Sequence, residues 1–404
     1  MKKIFEVFLG IITGIGGFLE AGSLATSAQA GAQFGYQLTW ALVAGTLALV
    51  VLTEAGGRLS IVSHRTVAEA MRERFGFGYF IIPLTVGVVV SLMVLASELA
   101  VVGVALQMAT GLSFRAWALP LAVACWFLLW RGNFGMVEKG AGMLGLVSLA
   151  FAVGAVKLHP DWGAVAASAI PSPPQHDPAK YWFGAVSILG ASISPYLFFF
   201  YSSGAVEDKW QEEDLPVNRV TSGMGMGFGG GLSLAVLILG ALVLFPRGIG
   251  VDRYQEIAMV LAHPLGRWGF ILFLLSLAIT CFGAAAEIAL ATAYLIAQGG
   301  GWEWSENQRP AHHARFSLVY TAAILFAAAL AAATDPLKLT NATMAVTAAS
   351  LPVSVLPLLV MMNDGSLMKK HRNGWLGNLG LVLVALLSVV LLVVSIPLYF
   401  LGSG

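Results

Sequence analysis

The sequence predicts an all-α integral membrane protein of about eleven transmembrane helices, arranged as two inverted five-helix repeats plus one additional helix, and three observations predict it. First, 58% of the 404 residues are hydrophobic and 11% charged, with a mean hydropathy of +0.82, whereas a soluble domain carries about 25% charged residues. Second, apolar runs of about 17–25 residues, each long enough to cross a ~30 Å hydrocarbon core, recur from Ile4 to Leu401 between short polar patches. Third, the first and sixth runs are interrupted at their centres, at equivalent places in two halves, which is the sequence mark of an inverted repeat.

The elements follow in order, with ends uncertain by several residues. Span one, 5–30, follows Met1-Lys2-Lys3; it has no convincing cleavage site and carries Glu20, so it reads as a helix rather than a leader. Within it Gly14, Gly16 and Gly17 precede Glu20-Ala21-Gly22-Ser23, a stretch that should unwind. Spans two and three, 38–57 and 78–106, embed Glu54 and Glu98; spans four and five, 116–130 and 141–157, close the first repeat, 1–157. Span six, 181–203, contains Gly190-Ala191-Ser192-Ile193-Ser194-Pro195, where the proline removes a backbone donor and clashes with the preceding turn. Non-helical backbone at that depth survives only where it is buried in protein or lines a cavity. Span seven, 222–245, carries a glycine run that follows no strand and so is no phosphate loop; Gly223, Gly227 and Gly231 predict a small-residue face for close helix packing. Spans eight, nine and ten, 268–298, 316–333 and 341–362, complete the second repeat, 181–362, and span eleven, 377–400, lies outside both. The whole chain, 1–404, is expected to be one membrane domain. An odd number of spans puts the termini on opposite sides. Fifteen Lys and Arg residues fall on the N-terminal side, among them Lys2, Lys3, Arg58, Arg72, Lys139 and Arg309, against seven on the other, which predicts a cytoplasmic N-terminus and an external C-terminus in the cytoplasmic membrane.

Composition excludes several function classes. A net charge of +1 with no basic, aromatic-interleaved stripe predicts no nucleic-acid partner. Cys125 and Cys281 lie inside apolar runs, as small buried hydrophobes rather than a disulfide or thiolate metal pair. No histidine falls in the centre of a span, so neither the H-E-x-x-H of a zinc protease nor a serine with a nearby base is visible. No catalytic residue and no cofactor are expected, and the lipid bilayer is the expected surrounding. The acidic stretch Glu207, Asp208, Glu212, Glu213 and Asp214 reads as a solvated loop.

Four carboxylates fall inside spans: Glu20, Glu54, Glu98 and Glu287. Each costs at least about 2.5–3.5 kcal/mol at the bilayer centre and needs an explanation. Glu20 sits beside the predicted break, where freed carbonyls and a carboxylate can converge on a cation; its alternative role is to hydrogen-bond freed amides. Glu54 precedes Arg58 by four residues, a favourable helix-surface pair that reads first as structural. Glu98 and Glu287 have no such partner, so both are proton or gate candidates, with a neutral packed glutamate as the alternative.

Glu20-Ala21-Gly22-Ser23 followed by Gln29-Ala30-Gly31-Ala32-Gln33-Phe34-Gly35-Tyr36 resembles the first-helix signature of the Nramp divalent-metal transporters, in which D-P-G-N precedes Q-A-G-A-x-x-G-Y. Similar stretches occur at Thr66 to Gly76, Gly190 to Pro195, Tyr254 to Gly266 and Leu351 to Leu358, so the resemblance covers most of the chain. It implies a LeuT-type fold with the substrate at the interrupted first and sixth helices. The family aspartate becomes Glu20, its proline Ala21 and its asparagine Ser23, while Gly22 is kept; the sixth-helix A-x-x-M-P-H is read as Ala191-Ser192-Ile193-Ser194-Pro195-Tyr196. Of the family's proton route, the third-helix aspartate aligns with Leu95, the glutamate with Glu98 and the sixth-helix histidine with Tyr196.

Carboxylate, hydroxyl and carbonyl oxygens suit Mg²⁺, Ca²⁺ and Mn²⁺, whereas thioether sulfur favours softer metals. The resemblance therefore implies an all-oxygen site made by Glu20, Ser23, Ser194 and the Ala191 carbonyl, with Ser350 as a further ligand and Gly22 and Pro195 at the helix breaks. Tyr196 joins Glu98, Glu287 and Glu54 as a proton or gate candidate. The expected function is secondary transport of a hard divalent cation, Mn²⁺ or Mg²⁺, as substrate, not tightly coupled to a proton, which stays a candidate co-substrate. The alternatives are a transporter on the same scaffold that carries a small organic or anionic solute, and a non-transporting sensor.

Overall fold

A computed structural model describes residues 19–131, 145–305 and 312–402. Lys2, Lys3, Gly14, Gly16, Gly17, Lys139, Arg309 and the opening residues of the fifth span lie outside these stretches. Described helices, in chain order, are α1 (Ala21–Phe34), α2 (Thr39–Ser63), α3 (Val67–Phe75), α4 (Phe77–Thr110), α5 (Phe114–Arg131), α6 (Leu149–Lys157), α7 (Trp162–Ala167), α8 (Pro178–Ser192), α9 (Pro195–Glu207), α10 (Leu215–Leu239), α11 (Tyr254–Ile257), α12 (Met259–Gly300), α13 (Ala314–Ala333), α14 (Pro336–Asn363), α15 (Gly365–Met368) and α16 (Trp375–Gly402).

Among the described residues, eight helical stretches are long and apolar enough to cross a membrane: α2, α4, α8 with α9, α10 with its extension to Arg247, α12, α13, α14 and α16. The other expected spans correspond to α1 and α6, of which the residues before 19 and from 132 to 144 are not described, and to α5, an 18-residue helix with Arg115 and Arg131 near its ends. The count of eleven therefore reduces here to eight full-length apolar helices plus these three. Sequence boundaries were short at both ends of span eight: α12 runs from Met259 to Gly300, and its early kink falls at Gly266, whose φ of 63° only glycine adopts freely.

Burial orders the helices. The apolar window of α8 with α9 is 89% buried, whereas that of α16 is 33% buried, so the broken helix is central and the last helix peripheral. The outer side of α16 exposes Leu383, Leu386, Val390 and Val393, a face that needs lipid rather than water around it. At the centre α1 packs on α8, α10 and α14, while α4 packs along α12 and α14.

Close backbone approach fixes α1. A Cβ on Gly31 would stand 2.2 Å from the Leu237 carbonyl, and one on Gly240 would stand 2.9 Å from the Ala28 carbonyl. Helix α10 gives way at this crossing to a π turn over Gly240–Leu244. The expected packing face of Gly223, Gly227 and Gly231 is corrected: a Cβ at any of the three meets nothing within 4 Å. These glycines face open space, and it is Gly230, one position before Gly231, that lies against Thr46 of α2, with 2.3 Å between its would-be Cβ and the threonine hydroxyl.

The polar loop after α2 is tightly organised. Thr66 and Glu69 form a capping box at the start of α3, and Val67 donates its amide to Ser202 of α9 at 2.7 Å. Arg72 donates to the Gln298 carbonyl at 2.8 Å, Trp304 to Glu69 at 3.0 Å, and Arg74 pairs with Asp364. The ends of α2, α3, α9, α12 and α14 are thereby held together.

Candidate functional site

The interruption expected in the sixth span is present, and of the first span the described residues begin at Leu19. Helix α1 starts only at Ala21, after Leu19 and Glu20, and Glu20 is its N-cap in extended conformation, φ −89° and ψ 176°. Helix α8 stops at Ser192; Ile193 (φ −112°, ψ 53°) and Ser194 (φ −70°, ψ 121°) are non-helical, and α9 restarts with Pro195 at its first position. A fixed φ and a missing N–H suit proline to that position, so Pro195 begins a half-helix rather than kinking one. Gly22 is the second residue of α1, inside the helix.

The two breaks face each other. Tyr196 donates its hydroxyl to Oε2 of Glu20 at 2.5 Å, the short end of the range for a hydroxyl on a carboxylate. Ser194 Oγ lies 3.4 Å from Glu20 Oε1 and, at the same distance, from the Ala191 carbonyl. Glu20 and Ser194 are 0% exposed and Tyr196 3%. Ala191 stands in the last turn of α8, where carbonyls lack intrahelical partners and carry the negative end of the helix dipole. A carboxylate, a hydroxyl and freed carbonyls thus meet at one buried point, an arrangement that attracts a cation and supplies no nucleophile with a base.

Glu98, on α4, approaches α1 from the other side. The Ala21 amide is donated to both of its oxygens, at 3.0 and 3.2 Å, and the Cys281 thiol also reaches it. Its carboxylate thereby caps the N-terminus of α1 at the positive end of the dipole. Tyr254 of α11 donates to the Ala21 carbonyl at 3.1 Å and lies 2.9 Å from Thr340 of α14, whose hydroxyl is 2.6 Å from Ser97. Tyr254 opens one of the family-like stretches but nothing in the sequence marks it as a site residue, and Thr340, a threonine at a helix start, carries no signal.

The remaining candidates lie as follows. Ser23 is buried and its hydroxyl has no hydrogen-bond partner. Ser350 turns its hydroxyl back to the Thr347 carbonyl at 2.7 Å and bonds to none of the other site residues. Glu287 is half-buried on α12, within electrostatic reach of Tyr196. Glu54 grips Arg58 in a two-pronged pair at 3.0 and 3.1 Å, and Arg58 continues to Asn373 at 2.7 Å and the His371 carbonyl at 3.0 Å. That pair ties α2 to the chain leading into α16, in the structural role its spacing suggests. In the acidic loop, Glu212 meets Lys370 at 2.9 Å and His371 at 3.1 Å.

Residues 10–397 match the family described as Natural resistance-associated macrophage protein-like. A curated relative, the divalent metal cation transporter MntH of Pectobacterium carotovorum, is 24% identical over 400 residues, 95% of this chain and 91% of that protein. The MntH of Deinococcus radiodurans is 26% identical over 246 residues, so that match spans 57% of this chain and about half, 55%, of the relative. Among solved structures, the Eremococcus coleocola manganese transporter shares the fold with a TM-score of 0.77 at 18% identity, covering 97% of this chain and 87% of that one.

Proposed function

The chain belongs to the Natural resistance-associated macrophage protein-like (Nramp) family, and from that premise we propose that it is a secondary transporter of a divalent metal cation, Mn²⁺ or Mg²⁺. The cation is held where α1 and the α8–α9 break face each other, by Glu20, Ser194, the Ala191 carbonyl and Ser23. The observation that carries this reading is Glu20 itself: a carboxylate with no exposure to solvent, at a non-helical point of the backbone, against a second non-helical point. Placing an ionisable group there costs at least about 2.5–3.5 kcal/mol, and a divalent cation offsets that cost while satisfying the freed carbonyls.

Three further observations support it. The unpartnered Ser23 hydroxyl is a spare oxygen in the first turn of α1. The relatives with matching sequence are divalent metal cation transporters rather than enzymes. The anionic-solute alternative is weakened because the amide of Ala21, the natural anion contact of the α1 half-helix, is already taken by Glu98.

We place the N-terminus on the cytoplasmic side on the Lys and Arg asymmetry. Residues 1–157 and 181–362 form the two repeats, with α16 outside them. Transport proceeds by alternating access around the fixed pair of breaks. Glu98 serves as an anchor for α1, so tight proton coupling is not required by the site. Uptake of Mn²⁺ into proteoliposomes tests the reading: saturable uptake that Glu20→Ala abolishes supports it, and uptake indistinguishable from empty liposomes contradicts it.

A further inference from the structure

Away from the breaks, the ends of α3 and α14 frame an open cleft of about 560 Å³, lined by Arg74, Leu359, Val360, Asn363 and Asp364. Helix α14 is long and apolar enough to cross the membrane, and so is α4, which begins at Phe77, just beyond Arg74. The cleft therefore stands at the boundary between hydrocarbon and water. Its polar side is built around one guanidinium. Asp364, itself held by the Ser366 hydroxyl at 2.6 Å and amide at 2.8 Å, accepts from Nε of Arg74, and the guanidinium lies over the Phe75 ring, 5.9 Å from its centre. Among the described residues the two terminal nitrogens of Arg74 have no acceptor. An arginine fixed through Nε with its terminal pair open is a fork that fits two oxygens of one phosphate. Arg372 stands beside it: its guanidinium comes within 3.6 Å of where a Cβ of Gly365, the neighbour of Asp364, would be. Two guanidiniums against one carboxylate leave the cleft positive. Its other side is apolar and continues into the bilayer, since Val360 is 47% exposed and Leu356, one turn earlier on the same face of α14, is 42% exposed.

We propose that this cleft is a binding site for an anionic phospholipid, with the phosphate on Arg74 and Arg372 and an acyl chain along Val360 and Leu356. The proposal is independent of the metal site. Basic side chains at the ends of membrane helices attract anionic lipid, and here one of them is oriented in advance by an aspartate and an aromatic ring. A free phosphate would leave the exposed apolar strip unused, and a zwitterionic headgroup would bring its own cation against two arginines. Because Arg74 already clasps Asp364, the lipid phosphate becomes a further partner of the contact that joins α3 to the end of α14. A ligand that binds only the folded chain raises its stability, so bound lipid should be visible in the melting temperature.

The experiment titrates the delipidated full chain in detergent with phosphatidylglycerol, with phosphatidylcholine of the same chain length and with inorganic phosphate. Thermal unfolding and native mass spectrometry of retained lipid are the readouts, on wild type, Arg74→Gln, Arg372→Gln and Lys209→Gln. Lys209 is an exposed cation in the loop after α9 and controls for diffuse attraction. Arg372 bonds to no other described residue, so its variant decides the question even if Arg74→Gln, which loses the clasp to Asp364, folds poorly. The expected result is a saturable rise in melting temperature with phosphatidylglycerol, and an affinity that falls by about tenfold in each arginine variant, the scale of a lost hydrogen bond to a charged group. Lys209→Gln should bind like wild type. Phosphatidylcholine binding as tightly as phosphatidylglycerol, equal phosphatidylglycerol binding in wild type and Arg372→Gln, or an equal loss in Lys209→Gln overturns the site. Stabilisation by inorganic phosphate at the same concentrations as the lipid would assign the cleft to a free anion and overturn the proposal as well.

Discussion

The hydroxyl of Tyr196 and the carboxylate of Glu20 meet at 2.5 Å, and this one bond joins the restarted sixth helix to the unwound start of the first. A cation that takes Glu20 as a ligand has to share or displace it. Replacing Tyr196 by Phe leaves a buried carboxylate short of a donor, which costs about 1–3 kcal/mol. Tyr196→Phe is therefore expected to lower the melting temperature of the cation-free protein and to enlarge the upward shift produced by saturating Mn²⁺. A smaller shift than in wild type would show that the hydroxyl helps to hold the cation instead.

Glu98 caps α1 through the Ala21 amide. Removing such a cap costs about 0.5–2 kcal/mol, and here the donor left behind is buried. Glu98→Ala should be destabilised by about 1–3 kcal/mol, measured by thermal unfolding in detergent, whereas Glu98→Gln keeps an acceptor oxygen and should retain most of the stability. Equal losses in the two variants would mean that the negative charge, rather than the acceptor, is what α1 requires.

Gly22 and Met344 form a second coupled pair. A Cβ at position 22 collides with the thioether, and overpacking of this kind typically costs about 1–3 kcal/mol. Gly22→Ala should fall in that range, and the double variant Gly22→Ala/Met344→Ala should be less destabilised than the sum of the single variants, because each change relieves the other. Strict additivity in a double-mutant cycle of melting temperatures would contradict the packing described.

Asp364 provides a pH-dependent contact outside the spans. The Ser366 hydroxyl at 2.6 Å and amide at 2.8 Å, with the Arg74 guanidinium beside them, hold its carboxyl at about 2, below the ordinary 3.8. Its value is lowered by folding, so its contribution to stability is fully present above pH 3.8 and is lost as the pH falls through that window towards 2. Asp364→Asn should therefore melt earlier than wild type at pH 6, and the difference should close on acidification below about pH 4. A difference that persists unchanged in that range would assign the effect to packing of α15.

Much of this was legible in the sequence because two signals are strong in a membrane: length of apolar run, and any residue that breaks a helix where water cannot repair the backbone. Glu20, Ser194 and Pro195 announced themselves in that way, and Glu54 did so by its spacing from Arg58. What was not legible depends on rotation about helix axes. That Gly223, Gly227 and Gly231 face open space while Gly230 meets Thr46 is a difference of one helical position that a glycine-rich run does not encode. Met344 reads as one more apolar residue in α14, and its place against Gly22 exists only because three helices cross there. The capping of Ala21 by Glu98 joins residues 77 positions apart in the chain, and no local pattern predicts such a contact.

The central claim is that a divalent cation binds at the break of α1, and isothermal titration of the purified protein with Mn²⁺, repeated on Glu20→Ala, tests it most directly. The account predicts saturable heat in wild type and none in the variant, with both proteins folded; the same saturable heat in both would place any cation site elsewhere and contradict it.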